Sequence, residues 1–445
     1  MPSLLENPLL LAALLTIPVI VLVTPFRTGW LLALVVFAWA DSSMPGADFV
    51  RRAWVRFAVL LLVGVHGAVR LGMRGRGERV PSPLLALVVL AAVSLLWADP
   101  FDYPAASTLF LVLLLAVLFG RVARLAVTPR AALATIDRVT FVLLALVVLG
   151  LLPVPRAESI VVEGTGRLRG FFRNPNGLGI TCAMFAPFVA VAATRARGAP
   201  RAVRWGLLVV LAALAFFSGS RTGVGGMIAG VSVALFVRHP SRFVLAAGAI
   251  GAIGALATLA RGDLDLDAGA TGNLVRGQTI SRLSGRLDRW RAGLELWRSD
   301  PVLGKGFMTS RNIQFVETRE DGSAVGVDTV GQGVNFHSQW IETLVDQGVI
   351  GALLLAALGV GLLRRARRLA HATADPDAAA LGAAWLGTLT AVSLDSFFHN
   401  WLLTPGSPYA LVFWSVCAVA LRIERAARRP SSRPGVRVGR AAVAA

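Results

Sequence analysis

The sequence predicts an all-α fold, a polytopic transmembrane helix bundle of about 12 spans with a large, partly helical loop on its outer face. Three observations lead to this prediction. The 445-residue chain is 56% hydrophobic and only 16% charged, and its mean hydropathy is +0.68, which is too apolar for an ordinary soluble protein. Its charged residues fall between apolar runs. Many of these runs approach the roughly 20 residues that a membrane-crossing helix needs.

The apolar runs give the candidate spans. They lie at 9–23, 29–40, 54–70, 82–98, 107–120, 138–152, 177–194, 203–218, 222–237, 243–260, 347–363, 379–398 and 408–421, and the first two are short. We therefore expect N-terminal helices over 1–152, helices with outward arginine-bearing loops over 153–260, a large outer loop over 261–346, C-terminal helices over 347–421 and a basic cytoplasmic tail over 422–445.

The net charge of +19 is distributed as in a membrane protein rather than as in a nucleic-acid-binding protein. Arginines are concentrated in the tail and in the loop 364–378. Positive residues beside spans mark the cytoplasmic side and contact anionic head groups there. With the tail inside, alternation places the loops 153–176, 218–222, 261–346 and 399–407 outside. The rule is less regular near the N-terminus, where Arg51, Arg52 and Arg56 also fall outside.

The chain offers no visible ligand set for a metal or a cofactor. Its two cysteines, Cys182 and Cys417, both lie in predicted spans, so no disulfide framework follows. The sequence contains no HExxH motif. We therefore predict a reaction that needs neither a cofactor nor a metal.

The outer loop contains two contrasting segments. The stretch SGRLDRWRAGLELW at 284–297 has apolar residues at helical spacing, which predicts an amphipathic helix whose Trp290 and Leu294 face the membrane body. The stretch DGSAVGVDTVGQGVN at 321–335 is Gly-rich and polar. It predicts a mobile loop, extending over about 318–335, that precedes the helix after His337.

Three outward elements carry arginines where the charge rule disfavours them. They are RLRGFFRNPNG at 167–177, SGSRTG at 218–223 and SGRLDRWR at 284–291. An arginine offers a planar fork of donors that suits phosphate oxygens. An idle charge is costly at Arg221, in a tight membrane turn. Solvated loop residues and surface ion pairs are the alternative interpretation, and NPNG is a turn and helix-cap sequence in any case.

His337 is the candidate proton-transfer group. It stands before a long apolar helix at the membrane surface, and an ordinary imidazole titrates close to the optimum for a general base. A histidine at a helix cap is the alternative. Glu342 and Asp346 are weak candidates for partners of this imidazole. His66, His239, His371 and His399 are weaker candidates than His337, the last because it lies in a short outer loop.

These motifs resemble those of the O-antigen ligase and O-antigen polymerase superfamily of bacterial envelope glycosyltransferases. The likeness rests on HS-x9-G-x2-G at 337–351, on SGRLDRW followed by DPVLGKGF, on SGSRTG and on FRNPNGLG, and it covers about 160–363. Lys305 departs from the family pattern, in which a small or apolar residue is commoner. The N-terminal third matches only in hydropathy.

The resemblance implies a GT-C-like enzyme of the bacterial inner membrane that acts at the periplasmic face, in pathways such as lipopolysaccharide biosynthesis. Such an enzyme transfers a glycan from a polyprenyl (undecaprenyl) pyrophosphate donor to an acceptor hydroxyl, on lipid A-core or another lipid or glycan, without a metal. By motif position His337 would be the general base, and Arg221 and Arg286 would hold the pyrophosphate. Arg289 and Arg173 are second-rank ligands. Attack opposite the leaving group would invert the anomeric centre.

Three alternatives are weighed against this interpretation. A polymerase that extends an O-antigen or exopolysaccharide chain shares the same domain, although the histidine motif favours a ligase. A secondary transporter also has about 12 spans, but the chain shows no repeat and no charged pair within a span. A structural scaffold would leave the three arginine elements without a role.

Overall fold

In a computed structural model of the chain, the structure describes residues 24–42, 47–71, 78–126, 128–149, 161–162, 166–238, 286–312, 316–318, 324–327, 336–372 and 374–428. Most of these residues are helical, as predicted. The predicted spans at 9–23 and 243–260 lie outside the described residues.

The helices fall into three groups along the chain. The N-terminal group is α1 (Phe26–Ala40), α2 (Ala47–Arg51), α3 (Ala53–Leu71), α4 (Ser82–Ser94), α5 (Asp102–Gly120) and α6 (Pro129–Leu149). The central group is α7 (Pro175–Arg195), α8 (Ala199–Phe217) and α9 (Arg221–Arg238). The C-terminal group is α10 (Arg286–Ser299), α11 (Gln339–Ala370), α12 (Pro376–Asp395) and α13 (Pro408–Arg428), and short 3₁₀ turns lie at Val122–Arg124 and Thr309–Asn312.

Two short antiparallel hairpins are the only sheets within the described ranges. β1 (Val161–Val162) pairs with β2 (Arg167–Leu168), and β3 (Val316–Thr318) pairs with β4 (Ala324–Val327). β4 lies within 318–335, so the prediction of a loop was wrong for that part. Its AVGV sequence carries β-branched side chains that suit an extended strand, and β3 supplies the hydrogen-bonding partner.

Five described segments are long and apolar enough to cross a membrane. They are Asp102–Arg124, Pro175–Arg195, Ala199–Phe217, Gln339–Ala370 and Pro376–Asp395. Shorter apolar helices lie at Phe26–Ala40, Ser82–Ser94 and Arg221–Val237. The described residues therefore support an integral membrane helix bundle, whereas the predicted count of about 12 spans is not confirmed.

Small residues allow the helices at the centre of the bundle to pack closely. α7 is buried on nearly all sides, and α9 and α12 lie against it. A Cβ added at Gly387 of α12 would lie 2.3 Å from the carbonyl oxygen of Gly230 in α9. Helices in membranes associate largely through such close packing, because lipid tails are as apolar as the side chains themselves. This packing fixes the relative positions of α7, α9 and α12.

One end of the helix bundle is marked by ion pairs, and the other end is where several loop segments meet. At one end, Arg204 approaches Asp137 at 3.4 Å and Arg365 approaches Glu424 at 3.8 Å, and Arg195 pairs with Asp377. The other end gathers the segments 166–174, 218–221, 336–338 and 399–407, and Arg56 donates to the Gly406 carbonyl there at 3.0 Å. This grouping agrees with the alternation of loops inferred from the charges, including the N-terminal arginines that the rule disfavoured.

Candidate functional site

His337 lies on a bend immediately before α11 rather than on the helix. Its φ of 49° is in the left-handed region, which few residues other than glycine adopt. Ser338 is the N-cap of α11, and its Oγ accepts the Ile341 N–H at 3.4 Å. On the other side, fully buried Phe336 accepts a hydrogen bond from Trp290 Nε1 at 2.9 Å through its carbonyl. These contacts fix the backbone on both sides of His337.

Gly348 of the histidine motif lets α11 pack against the DPVLGKGF segment. The helix breaks at Gly348, whose φ is 63°. Beyond the break, the N–H of Val349 donates to the Pro301 carbonyl at 2.9 Å. A Cβ at Gly348 would lie 2.1 Å from the Val302 carbonyl oxygen. Only glycine tolerates both this backbone conformation and this approach.

Asp346 connects the helix to the same segment. Its buried carboxylate accepts the backbone N–H groups of Met308 and Ser310, each at 2.9 Å. Lys305, the departure from the family pattern, pairs with Asp300 at 2.8 Å and closes the turn from outside. This ammonium holds the pKa of Asp300 below its ordinary value. The described bonds of Asp346 therefore tie the turn to α11 and do not involve His337.

Glu342 also forms hydrogen bonds that have a structural role. Its carboxylate accepts Arg311 Nε at 2.9 Å and also binds the Asn400 side chain. Arg311 in turn donates to Thr404 at 3.3 Å. Burying these charges together satisfies their hydrogen-bonding groups. The network joins the start of α11 to the loop 399–407.

The predicted amphipathic helix at 284–298 is confirmed as α10, although its buried face is not the predicted one. Trp290 packs inward, as expected, with its ring 6.0 Å from that of Phe398. Leu294, predicted to face inward, is 36% exposed. Gly293 takes the inward position, close to Phe336 and Ile341. The helix is therefore rotated relative to the prediction, because Gly293 gives the closest approach to α11.

Three of the predicted arginines come together above this interface. Arg286 lies over the Phe398 ring at 5.7 Å and interacts electrostatically with Arg221, Arg289 and Asp395. Burial lowers the pKa of Arg286, the Asp395 carboxylate opposes this effect, and the guanidinium groups of Arg221 and Arg289 lower the pKa further. Several positive charges packed at one place are electrostatically unfavourable by themselves. The group is therefore suited to an anionic ligand.

His337 lies within reach of this positive charge. Burial, followed by the charges of Arg289 and Arg286, lowers the pKa of His337 to about 3. In the protein without substrate this imidazole is therefore less basic than the ordinary histidine from which the general-base role was argued. The sequence showed the arginines and the histidine separately, but their proximity arises only in the fold.

Arg221 begins α9 at a close contact between two helices. Ser220 Oγ accepts the Gly223 N–H at 3.2 Å and caps the helix. A Cβ at Gly223 would lie 2.7 Å from the Gly179 main chain of α7. SGSRTG and FRNPNGLG thus meet through their glycines. This contact places Arg221 at the same end of the bundle as His337.

Arg173 has a different environment. Its backbone N–H donates to the Asp41 carbonyl at 2.8 Å, and its side chain interacts electrostatically with the Asp41 carboxylate, as do Arg51 and Arg56. Tyr409 donates a hydrogen bond to that carboxylate. Burial raises the pKa of Asp41. The described contacts therefore join Arg173 to this cluster rather than to the cluster of Arg286.

The NPNG stretch beside Arg173 acts as a helix cap. Asn174 Oδ1 accepts the Asn176 N–H at 2.9 Å, and Pro175 is the first residue of α7. Arg167 donates to Asn176 at 2.7 Å and to the Ser218 carbonyl at 2.8 Å. The structural interpretation of NPNG is thus the one that the contacts support.

A second imidazole, ranked low from sequence, belongs to the same region. His399 Nδ1 lies 2.7 Å from Asp395 Oδ1, and the other oxygen of that carboxylate accepts Trp401 Nε1 at 2.6 Å. His399 interacts electrostatically with His337. The i, i+4 spacing of Asp395 and His399 was the available sequence signal. It was missed because α12 ends between them.

Across the described ranges, no group of three or more His, Cys, Asp or Glu side chains is arranged to hold a metal ion.

Two comparisons with known proteins bear on this site. Residues 206–356 match the model of a family described as O-antigen ligase, and this segment contains Arg221, Arg286, Arg289 and His337. The match confirms the resemblance seen in the motifs, and the apolar helices indicate an integral membrane protein.

The second comparison is with an individual protein. The chain is 26% identical over 255 residues to the exopolysaccharide production protein ExoQ of Rhizobium meliloti (strain 1021). The alignment covers 55% of this chain and 56% of that relative. The chain thus spans little more than half the length of the curated relative it matches.

Proposed function

We propose that the protein is a glycosyltransferase that moves a glycan from a polyprenyl-pyrophosphate donor to an acceptor hydroxyl at the outer face of the bacterial inner membrane. The observation that carries the proposal is the convergence of Arg221, Arg286 and Arg289 beside His337 at one end of an apolar bundle. A donor with a lipid tail and an anionic head group matches both features.

The arginines would hold the pyrophosphate before and during the reaction. As the bond from the anomeric carbon to the pyrophosphate oxygen breaks, negative charge grows on the leaving group, and fixed guanidinium groups stabilise it. A planar fork binds two oxygens at once, which also orients the donor. Arg221 and Arg286 are the main ligands and Arg289 is the third. Arg173, grouped with Asp41, is a ligand of lower rank.

His337 would remove the proton of the acceptor hydroxyl. Its lowered pKa keeps it neutral, as a base must be, but also makes it a weak base in the empty site. A bound pyrophosphate would offset the charges of Arg286 and Arg289 and raise the basicity of the imidazole. The base would thus be activated when the donor is in place. The mechanism uses no metal, and attack opposite the pyrophosphate would invert the anomeric centre.

The acceptor separates two candidate roles. The family description favours a ligase, which attaches the glycan to lipid A-core or a similar lipid. The alignment with an exopolysaccharide production protein favours a polymerase, whose acceptor is a second lipid-linked glycan. Both share the donor and the arginine–histidine centre. A secondary transporter, the remaining alternative, would need none of this chemistry.

Purified protein in detergent, supplied with a radiolabelled polyprenyl-pyrophosphate glycan, would test these roles. Products of increasing length from the donor alone indicate a polymerase, and label transferred only when lipid A-core is added indicates a ligase. We expect activity to survive a metal chelator. An intact donor under all conditions, with wild-type protein that binds it, would refute the transferase proposal. Chelator-sensitive transfer would reveal a metal requirement.

A further inference from the structure

An apolar cavity of about 450 Å³ lies between α11, α12 and α13. These helices contribute the apolar lining side chains Leu355, Leu358, Leu362, Leu389, Phe413 and Trp414. Two serines, Ser393 and Ser396, line it as well. A cavity whose walls are mainly hydrocarbon is suited to an apolar ligand rather than to water, because a buried water needs several polar partners.

One rim of the cavity belongs to the segments that form the candidate site. Trp340 lines the cavity three residues after His337, and its Nε1 donates to Ser396 Oγ at 3.1 Å. Ser396 also lines the cavity, and its carbonyl accepts the backbone N–H of Gln339 at 2.9 Å. The same N–H donates to the carbonyl of His399 at 3.1 Å. The cavity therefore begins directly beside the backbone that carries both imidazoles.

The cavity also reaches the outside of the bundle. Gly359 of α11 and Ser393 of α12 line it and are only half-buried. The next residues along these helices, Val360 and Leu394, are 45% and 43% exposed. Exposed apolar side chains on a membrane helix contact lipid tails, which are as apolar as leucine. A lipid can therefore enter the cavity sideways from the bilayer.

Gly359 leaves part of this cavity open. A Cβ added at Gly359 would meet no atom within 4 Å. The membrane-crossing part of α11 starts at the break at Gly348, and at 1.5 Å per residue Gly359 lies about 16 Å further along the helix. A larger side chain at this position would thus narrow the cavity well away from the candidate site.

A second apolar cavity, of about 470 Å³, lacks the connection to the site. Its lining includes Arg27, Thr135 and Ile136. The last two directly precede Asp137, whose ion pair with Arg204 marks the opposite end of the bundle. Its position does not suit a lipid whose head group is held beside His337.

We propose that the cavity between α11, α12 and α13 binds the part of the donor's polyprenyl chain that lies nearest the pyrophosphate. The chain enters between α11 and α12, and the pyrophosphate remains with Arg221, Arg286 and Arg289. Lipid tails surround the chain before it binds, so its affinity comes from close packing against the leucine and aromatic walls. This inference rests on the proposed transferase function.

The first test is the donor kinetics of Gly359→Leu, whose side chain would occupy part of the cavity. We expect KM for the long-chain polyprenyl-pyrophosphate glycan to rise on the order of tenfold, as overpacking of a filled site does, with kcat changed less than about threefold. A donor whose lipid is a single isoprene unit is too short to reach Gly359. Its KM should be the same for the variant and the wild type.

Gly361→Leu is the matched control. Gly361 belongs to the same helix and an added Cβ there also meets nothing within 4 Å, but this residue is not part of the cavity lining. The variant should keep the wild-type KM for both donors. An equal rise of KM in the two variants, or an unchanged KM in folded Gly359→Leu, refutes the inference.

The second test measures binding in the wild type and needs no variant and no turnover. A polyprenyl pyrophosphate with a diazirine on one of its first isoprene units is photolysed with the protein, and the labelled peptides are identified by mass spectrometry. We expect label within 355–362 or 389–396, and its loss with excess unlabelled polyprenyl pyrophosphate. Label confined to other segments refutes the inference.

A diazirine-bearing phosphatidylglycerol serves as the probe for an ordinary membrane lipid. Labelling of the same residues by this probe, with equal competition by both lipids, identifies a general phospholipid site and refutes the inference.

The outcomes separate this inference from the proposed function. Specific labelling of the cavity in a wild type that transfers no glycan supports the lipid site and refutes the transferase function. Glycan transfer by a wild type that is labelled elsewhere refutes the lipid site and leaves the function intact.

Discussion

Gly348 of α11 and Val302 of the turn after α10 approach so closely that a Cβ on Gly348 would lie 2.1 Å from the Val302 carbonyl oxygen. The contact joins the histidine motif to the DPVLGKGF motif, which are far apart in sequence. Because both motifs depend on this contact, we expect Gly348→Ala to be strongly destabilising. Strain from the positive φ alone is of order 1–3 kcal/mol, and the clash adds to it. Thermal unfolding in detergent measures the loss.

Gly361→Ala is the matched control for this substitution. Gly361 belongs to the same helix, and an added Cβ there would meet nothing within 4 Å. Alanine in a helix is favoured over glycine by roughly 0.5–1 kcal/mol, so this variant should be as stable as the wild type or slightly more so. Equal unfolding temperatures for the two variants would show that the contact with Val302 leaves room for a Cβ at Gly348.

The carboxylate of Asp346 is expected to be essential to the same region. In Asp346→Asn one of the two accepting oxygens is replaced by an NH₂ group, so a buried backbone N–H of Met308 or Ser310 loses its acceptor. Leaving such a group without a partner costs about 1–3 kcal/mol. Asp300→Asn, at an exposed ion pair with Lys305, should cost less than about 1 kcal/mol. Denaturant or thermal unfolding of both variants checks this order, and the reverse order would contradict it.

His337 should remain neutral in mildly acidic solution when no donor is bound. Its pKa is lowered to about 3 by burial and by Arg289 and Arg286, so lowering the pH from 7 to 5 leaves it unprotonated. Diethyl pyrocarbonate modifies only neutral imidazole. The rate of modification, followed by mass spectrometry, should be nearly the same at pH 7 and pH 5 for His337. The rate for N-acetylhistidine should fall when the pH is lowered to 5. An equal fall for both would contradict the electrostatic account.

Arg286 should act on both donor binding and turnover. Arg286→Ala is expected to weaken binding of the polyprenyl-pyrophosphate donor and to reduce transfer by about 10²–10³-fold, the usual effect of removing one group that stabilises a developing anion. Arg286→Lys should recover little, because lysine lacks the bidentate fork. Arg298→Ala, in the last turn of the same helix, is the control. Binding and turnover unchanged in Arg286→Ala would remove this residue from the site.

The sequence predicted the parts of this protein that depend on local pattern. Apolar runs predicted the helices, and the spacing of Trp290 and its neighbours predicted α10. The inward face of α10 was misjudged because side-chain apolarity favours Leu294, whereas the close approach to α11 requires Gly293. Pattern alone does not indicate where the smallest residue fits best.

The candidate site depended more on the fold. The motifs indicated Arg221, Arg286 and His337 individually. The lowered pKa of His337 arises from burial and from guanidinium groups on other elements, and the pairing of His399 with Asp395 arises where a helix end turns into a loop. The residue types alone indicate neither the lowered pKa of His337 nor the pairing of His399 with Asp395. Both follow from distances that only the folded chain defines.

The most direct test of the account is glycan transfer by purified wild-type and His337→Ala proteins, each with its donor binding measured in parallel. Loss of a general base typically reduces the rate about 10²–10⁴-fold, and we expect a loss of this size with nearly unchanged donor affinity and thermal stability. Wild-type transfer rates in His337→Ala would contradict the assignment of the proton-transfer centre.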